Sequence, residues 1–294
     1  MGFLDKLFKT KQNDSIADII KPTKHDDTDL QKANALYEQA TQRHQDGEHE
    51  AAVTLLLEAA VLGLADAQRS LAVMHCNGLG VRQDHQKGHE LFLKAANQGD
   101  VKACHNLGVM YYHGFGVIQN HQVAFDWYKK AADQDYAESC HNIALMYEHG
   151  VGVPADDRLA VDWYERAAGQ GFVLSYLNLG NLYRMGRGVS QDDAKAMAYF
   201  EKAATSGILE AKYQLAVCYQ HGDGVAQDLV RAFSYFKEAA DLGFEPAIYQ
   251  LALCYLKGEG VAKDENLAKD WLRQSAKNHE PAFKLLNQME GGHH

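Results

Sequence analysis

The amino-acid sequence predicts an all-helical protein built from helical hairpins that stack along the chain. The first observation is a Gly-x-Gly-Val motif that occurs six times, its first glycine recurring every 36 residues at Gly78, Gly114, Gly150, Gly186, Gly222 and Gly258. A constant period of this size is typical of stacked-repeat proteins. Apolar stripes at helical spacing flank each motif, and an Asp or Asn follows it. Together these features predict one helical hairpin per period.

The first helix of a period is illustrated by residues 101–135. Leu107, Gly108 and Tyr111 recur at spacings of three and four, which is typical of an amphipathic helix with one buried stripe. Gly114 then stands where a glycine can adopt positive φ at a helix C-terminus without a steric cost. The glycine motif therefore predicts the end of the first helix.

The second helix of the same period is predicted to begin after Asn120, whose side chain can accept a backbone N–H as an N-cap. Ala124, Trp127 and Ala131 form its buried stripe. Asp occupies the N-cap register of the other periods, at Asp84, Asp156, Asp192, Asp228 and Asp264. Such a hairpin cannot bury its own apolar face and must stack on its neighbours.

Glycine is predicted to end the second helix in four periods, at Gly99, Gly171, Gly207 and Gly243. A residue in the left-handed region is common at this place, and glycine adopts that conformation at the least cost. Asp135 and His279 replace the glycine in two other periods. We therefore expect a different turn at these two residues.

The repeated pattern is A-x-x-x-L-G-x-x-Y-x-x-G-x-G-V-x-x-D-x-x-x-A-x-x-W-x-x-K-A-A. It resembles the Sel-one-like repeat, a relative of the tetratricopeptide repeat with a longer inter-helix loop. The resemblance implies a right-handed α-solenoid of stacked hairpins, in which first helices line the concave side. It predicts six such repeats over residues 66–279, after a tetratricopeptide-like hairpin over 33–65. Residues 1–32 are predicted to form an amphipathic or flexible segment, and residues 280–294 a closing helix and tail.

Composition and charge favour a cytoplasmic protein that does not bind nucleic acid. The net charge is −10, and Lys and Arg are scattered among Asp and Glu, whereas phosphate binding needs a clustered basic face. The longest apolar stretch, residues 51–65, is too short to span a bilayer, and the N-terminus does not have the pattern of a secretory signal. Two cysteine pairs, Cys104 with Cys140 and Cys218 with Cys254, lie one period apart, which predicts reduced thiols rather than disulfides.

Catalytic, metal and cofactor sites are not predicted. The glycine motifs follow helices, whereas phosphate-binding loops follow strands. His85 and His89 are four residues apart but have no third metal ligand in view. Ser234 and Lys237 form the Ser-x-x-Lys spacing of serine acyl-enzymes, but no accompanying element of that machinery is present. We therefore predict that the protein is not an enzyme.

The predicted binding surface lies on the first helices. Five of them carry a carboxamide in one register, which we call the carboxamide row: Asn106, Asn142, Asn178, Gln214 and Gln250. A carboxamide offers a donor and an acceptor, so the row could pair with the backbone of an extended peptide. Neighbouring candidates are His105, His141, Tyr213 and Tyr249, and, one turn later, Tyr112 and Arg184. The carboxamides could equally stitch adjacent helices together, and both interpretations stay open.

The predicted function is that of a non-catalytic adaptor or scaffold that grips a protein segment in the concave groove. The alternative, which the family resemblance raises, is small-ligand binding, antibiotic-like in kind, or an enzyme-like activity. Residues 1–12 are a second candidate contact. Phe3, Leu4, Leu7 and Phe8 share one helical face near three lysines, which is the arrangement of a weak membrane anchor.

Overall fold

A computed structural model describes residues 27–277 and 279–291, which form fifteen α-helices and no strand. The predicted membrane contact of residues 1–12 lies outside the described residues. Backbone contacts divide the chain into two compact units, residues 1–136 and residues 137–294. Each unit is a stack of helical hairpins, as the sequence predicts.

Unit 1 contains three hairpins. Its helices are α1 (Asp27–Gln45), α2 (His49–Val61), α3 (Ala65–Asn77), α4 (His85–Ala96), α5 (Val101–His113) and α6 (His121–Ala132). Helices pair as α1 with α2, α3 with α4 and α5 with α6, and successive hairpins contact through α2–α3 and α4–α5. Ala33, Ala52, Leu71 and Leu107 are among the side chains of the core that these contacts bury.

Unit 2 contains four hairpins and a closing helix. Its helices are α7 (Ala137–His149), α8 (Asp157–Gly169), α9 (Val173–Met185), α10 (Asp193–Thr205), α11 (Leu209–His221), α12 (Leu229–Asp241), α13 (Glu245–Lys257), α14 (Glu265–Ser275) and α15 (Glu280–Glu290). Each pair of consecutive helices is in contact, from α7–α8 to α14–α15. On α15, Ala282 and Leu286 join the core, whereas Lys284 and Gln288 are exposed. The closing helix therefore presents a polar outer face.

The predicted N-caps are confirmed in all six repeats. The side chain of Asn120 accepts a hydrogen bond from the backbone N–H of Val123 at 3.1 Å. The Asp residues of the other repeats do the same at the start of α4, α8, α10, α12 and α14. The first helices end, as predicted, at a glycine with positive φ, for example 76° at Gly114.

A second glycine of the motif brings successive repeats into close contact. A Cβ atom added at Gly116 would lie 2.6 Å from the carbonyl carbon of His85, the first residue of the preceding second helix. At Gly224 it would overlap the backbone carbonyl of Asp193 in the same way. The loops of Gly116 and Gly224 therefore rest directly on the backbone of the preceding repeat, at a distance that a side chain would prevent.

The turn expected to differ at Asp135 does not differ, and that prediction is wrong. Asp135 adopts φ 59°, and its N–H bonds to Ala132 O at 3.0 Å, as Gly171 bonds to Ala168 at 2.9 Å. Asp tolerates the left-handed region better than most residues, so the repeat keeps its geometry. At His279 the turn does differ. His279 has φ −127° and caps α15, because its Nδ1 accepts a hydrogen bond from Ala282 N.

The five cysteines are free thiols, and Cys104, Cys140, Cys218 and Cys254 are buried on first helices. Burial raises the pKa of Cys104 and Cys254 to about 11. These thiols stay protonated at neutral pH and serve as small core side chains.

Candidate functional site

Four predicted candidates beside the carboxamide row point into their own repeat. We call His105, His141, Tyr213 and Tyr249 the ring row. Each packs on aromatic rings of the second helix or of the linker that follows it. His105 meets Tyr128 and Tyr136, His141 meets Tyr164 and Phe172, Tyr213 meets Phe236 and Phe244, and Tyr249 meets His279, with ring centroids 4.6–5.7 Å apart.

His141 is the most enclosed member of the ring row. Only 6% of it is exposed, and its Nδ1 lies 2.9 Å from the hydroxyl of Ser175. Burial lowers the pKa of His141 to about 4, so the ring is neutral at physiological pH. Because the rings of the ring row pack against other rings of their own repeat, the ring row is not part of the proposed binding surface.

The carboxamide row is not uniform. Asn178 donates from Nδ2 to the hydroxyl of Tyr164 at 2.8 Å, and Tyr164 donates to Glu148 Oε2 at 2.8 Å. Tyr164 is fully buried, and burial together with the nearby Glu148 charge raises its pKa. At Asn178, therefore, the carboxamide stitches repeat 173–208 to repeat 137–172.

Arg187 extends this network through the loop of its repeat. It donates to both carboxylate oxygens of Asp157, at 2.6 and 3.0 Å, and to Glu148 Oε1 at 3.1 Å. His141 and Ser175 also belong to the two neighbouring repeats. We call this junction between residues 137–172 and 173–208 the polar seam.

The next junction, between residues 173–208 and 209–244, has none of these links. We call it the apolar seam. One period after His141 and Ser175 the chain has Leu177 and Ala211, which cannot form a hydrogen bond between their side chains. One period after Tyr164 it has Phe200, which has no hydroxyl group to bond to Gln214. Within the described part of the chain, Asn106, Asn142, Gln214 and Gln250 make no side-chain hydrogen bond. These four carboxamides are half-buried, and their donor and acceptor groups remain available to a partner.

Tyr112 and Arg184 are the two candidates one turn further along the first helices. Tyr112 packs on the rings of His113 and His121, with centroids 5.0 and 4.9 Å apart. In the same register, Gln220 donates to Glu259 of the following loop at 3.1 Å. Arg184 makes no ion pair or hydrogen bond within the described residues, and its Nε is buried.

Two further rows share the open face of the first helices and were missed by sequence reasoning. Three residues after the carboxamides lies the middle row: Val109, Leu145, Asn181, Val217 and Leu253. Four residues later lies the end row: His113, His149, Met185, His221 and Lys257. The middle row is half-buried and the end row is exposed. Helical spacing from the carboxamides could have identified both rows, because residues three and four apart share a face.

The groups considered for catalysis or metal binding are otherwise engaged. Lys237 donates to Asp241 at 2.6 Å, and this bond raises its pKa, so the lysine of the Ser-x-x-Lys pair is protonated. Nε2 of His89 lies 3.2 Å from the hydroxyl of Tyr111, and burial lowers the pKa of His89. In residues 27–277 and 279–291, three or more metal-ligating side chains do not gather at any point. Over the same ranges, every helix is too short or too polar to cross a membrane.

Comparison with known proteins gives one family. The Sel1 repeat model matches residues 65–100, 101–136, 137–172, 173–208, 209–244 and 246–279. A Sel1 repeat protein from Oxalobacter formigenes is 31% identical, with a TM-score of 0.72 over 82% of this chain and 96% of its own.

The structure of c5321, a protective antigen of uropathogenic Escherichia coli with the same repeat fold, is 32% identical with a TM-score of 0.82. The match covers 87% of this chain but only 56% of the E. coli chain. A comparison with curated protein sequences gave no match.

Proposed function

Since this chain belongs to the Sel1 repeat family, whose tetratricopeptide-like solenoids commonly serve protein interaction, we propose that it is a non-catalytic scaffold that binds an extended peptide segment of a partner protein. The binding surface is the open face of the first helices of unit 2: α7, α9, α11 and α13. One observation carries the proposal. In three of these helices the carboxamide (Asn142, Gln214 or Gln250) is half-buried yet free of internal hydrogen bonds.

Carboxamides at a constant spacing suit the backbone of a peptide. An extended chain presents N–H and C=O groups at regular intervals, and a carboxamide can satisfy one of each. Beside the carboxamides, Leu145, Val217 and Leu253 offer half-buried apolar contacts for peptide side chains. Binding would complete the desolvation of these side chains, which favours association.

Charge along the same face gives a peptide a preferred direction. Glu138 and Glu210 are exposed near the N-terminal ends of α7 and α11, whereas His149, His221 and Lys257 are exposed at the C-terminal ends of α7, α11 and α13. The acidic side chains at one end, and the imidazoles and the Lys257 ammonium at the other, favour one orientation of a bound segment over its reverse. The alternative of small-ligand or enzyme-like activity has no comparable observation in its favour, and the cytoplasmic location stays a prediction.

The test is selection of a phage-displayed random peptide library on the full-length chain. Peptides that bind the surface should lose most of their affinity for a Gln214→Ala, Gln250→Ala double variant. A matched control replaces two exposed carboxamides of α14, Asn266→Ala and Gln274→Ala, and should bind as well as the wild type. Failure to enrich any peptide, or equal binding to both double variants, would contradict the proposal.

A further inference from the structure

Helix α9 differs from the first helices on either side of it. In α7 and α11 the open face is charged or polar at its ends, with Glu138 and Glu210 at one and His149 and His221 at the other, and apolar in the middle, with Leu145 and Val217. In α9 the order is inverted. Leu174 and Met185 are 45% and 57% exposed at the two ends, and Asn181 occupies the middle.

Two polar atoms of α9 are left without partners among the described residues. The Oδ1 atom of Asn181 and the Nε atom of Arg184 are both buried and form no hydrogen bond in the described part of the chain. A buried polar atom without a partner costs about 1–3 kcal/mol, and native structures contain few of them. The two atoms lie one helical turn apart and offer one acceptor and one donor.

Arg184 also stands apart from the other arginines. Arg43, Arg69, Arg187, Arg231 and Arg273 pair with carboxylates, Arg166 covers the ring of Trp163, and Arg82 and Arg158 are exposed. Arg184 alone among the described arginines is half-buried with no carboxylate bound and no ring beneath it. A half-buried guanidinium without an internal anion is complementary to a carboxylate supplied from outside.

Two carboxylates share the surroundings of Cys218 with Arg184 but do not pair with it. Burial raises the pKa of the Cys218 thiol to about 11. The charge of Arg184 opposes this rise, and the charges of Asp223 and Asp193 add to it. All three charged groups therefore lie near this thiol. No ion pair forms between Arg184 and either carboxylate within the described residues. At the polar seam, Glu148 and Arg187 occupy the positions that Arg184 and Asp223 occupy one period later, and Glu148 does form an ion pair with Arg187. The apolar seam thus leaves Arg184 unpaired.

We propose, on the basis of the function proposed above, that α9 selects a peptide segment that carries an Asp or Glu side chain next to an aliphatic residue. The carboxylate binds Arg184, a backbone N–H of the peptide donates to Asn181 Oδ1, and the aliphatic side chain packs on Met185. Arg184 lies near the basic ends of the flanking helices, which favours the same placement of the acid. Leu174 provides a second apolar contact at the other end.

The experiment sequences the phage-displayed peptides that the full-length wild type and an Arg184→Gln variant each enrich. Gln is native at this register in the next repeat, as Gln220, so the fold accepts it. The wild type should enrich an acidic residue beside an aliphatic one. Arg184→Gln should lose the acidic preference and bind the wild-type peptides about 10- to 100-fold more weakly. Arg158→Gln, which replaces an exposed arginine of α8, is the matched control and should keep both the acidic preference and the affinity for the wild-type peptides.

The outcomes separate this inference from the function on which it rests. Peptides that require Gln214 and Gln250 but have no acidic preference would overturn the role of Arg184 and leave the peptide-binding function standing. Failure of the wild type to enrich any peptide would overturn both. An equal loss of thermal stability in Arg184→Gln and Asp223→Asn, with unchanged peptide preference, would show that Arg184 serves the seam instead.

Discussion

The polar and apolar seams join the same repeat, 173–208, to its two neighbours by equivalent registers, yet they use opposite chemistry. The polar seam links His141 to Ser175, Asn178 to Tyr164 and Glu148 to Arg187. The apolar seam replaces all three links and frees Gln214 and Arg184 from internal partners. The backbone packing of the repeat therefore does not need these hydrogen bonds. Where they are absent, the same polar side chains become available to a partner.

The largest expected effect comes from breaking the apolar seam at its loop. Gly224→Ala would place a methyl group on the carbonyl of Asp193 as well as straining a residue at φ +72°. We expect it to lower the free energy of unfolding by about 3 kcal/mol or more. Gly207→Ala is the control, because Gly207 has positive φ but open space around it, and should cost only about 1 kcal/mol. Urea denaturation measures both, and equal losses would show that contact between repeats is not the reason for the second glycine.

The next effect is a pH dependence that distinguishes the polar seam from the apolar seam. His141 has a folded-state pKa of about 4, below the value of about 6.5 for an unfolded chain. Between these values the unfolded chain binds the extra proton, so the contribution of neutral His141 is complete above pH 6.5 and is lost as pH falls towards 4. The loss amounts to about 2–3 kcal/mol.

The control for this pH dependence is His141→Leu, since Leu177 fills the same register at the apolar seam. Denaturation across pH 4–7 should show a smaller decline for the variant than for the wild type. Parallel curves for the two proteins would contradict the assignment of the proton to His141.

Removing one hydroxyl should weaken the polar seam by a smaller amount. Tyr164→Phe leaves Glu148 Oε2 and Asn178 Nδ2 without their shared partner, and should cost about 1–3 kcal/mol in urea denaturation. Tyr255→Phe serves as the control, because Tyr255 meets the ring of Phe233 and its hydroxyl has no hydrogen bond among the described residues. A cost at Tyr164 no greater than that at Tyr255 would mean that the network adds nothing to stability.

The smallest effect distinguishes two members of the carboxamide row directly. Asn178→Ala removes a hydrogen bond and should lower stability by about 1 kcal/mol. Gln214→Ala removes no internal bond and should change stability by less than about 0.5 kcal/mol. Equal changes in the two variants would erase the distinction between a structural and an open carboxamide.

Features set by local backbone chemistry could be predicted from the sequence. The helix ends at Gly114 and its equivalents and the N-cap at Asn120 depend on residues within a few positions. The turn at Asp135 was mispredicted because the surrounding repeat imposes a left-handed φ that sequence reasoning reserved for glycine.

The site was harder to predict because its members depend on neighbouring elements. His141 looks like a surface ligand until Tyr164 and Phe172 enclose it. Asn178 and Gln214 differ in the residue that precedes each by fourteen positions, which is Tyr164 for Asn178 and Phe200 for Gln214. The middle row was missed because Leu145 and Val217 are aliphatic residues of the kind that usually fills a core, and the sequence does not show that they are only half-buried.

Binding of a peptide by the open carboxamides can be followed by NMR titration of the side-chain amide groups in the full-length chain with a peptide selected from the random library. The NH2 signals of Gln214 and Gln250 should shift in proportion to saturation, while those of Asn266 and Gln274 on α14 stay in place. The NH2 signal of Asn178, whose Nδ2 is held by Tyr164, should move less than that of Gln214. Unchanged Gln214 and Gln250 signals at saturation would show that these carboxamides do not bind the peptide.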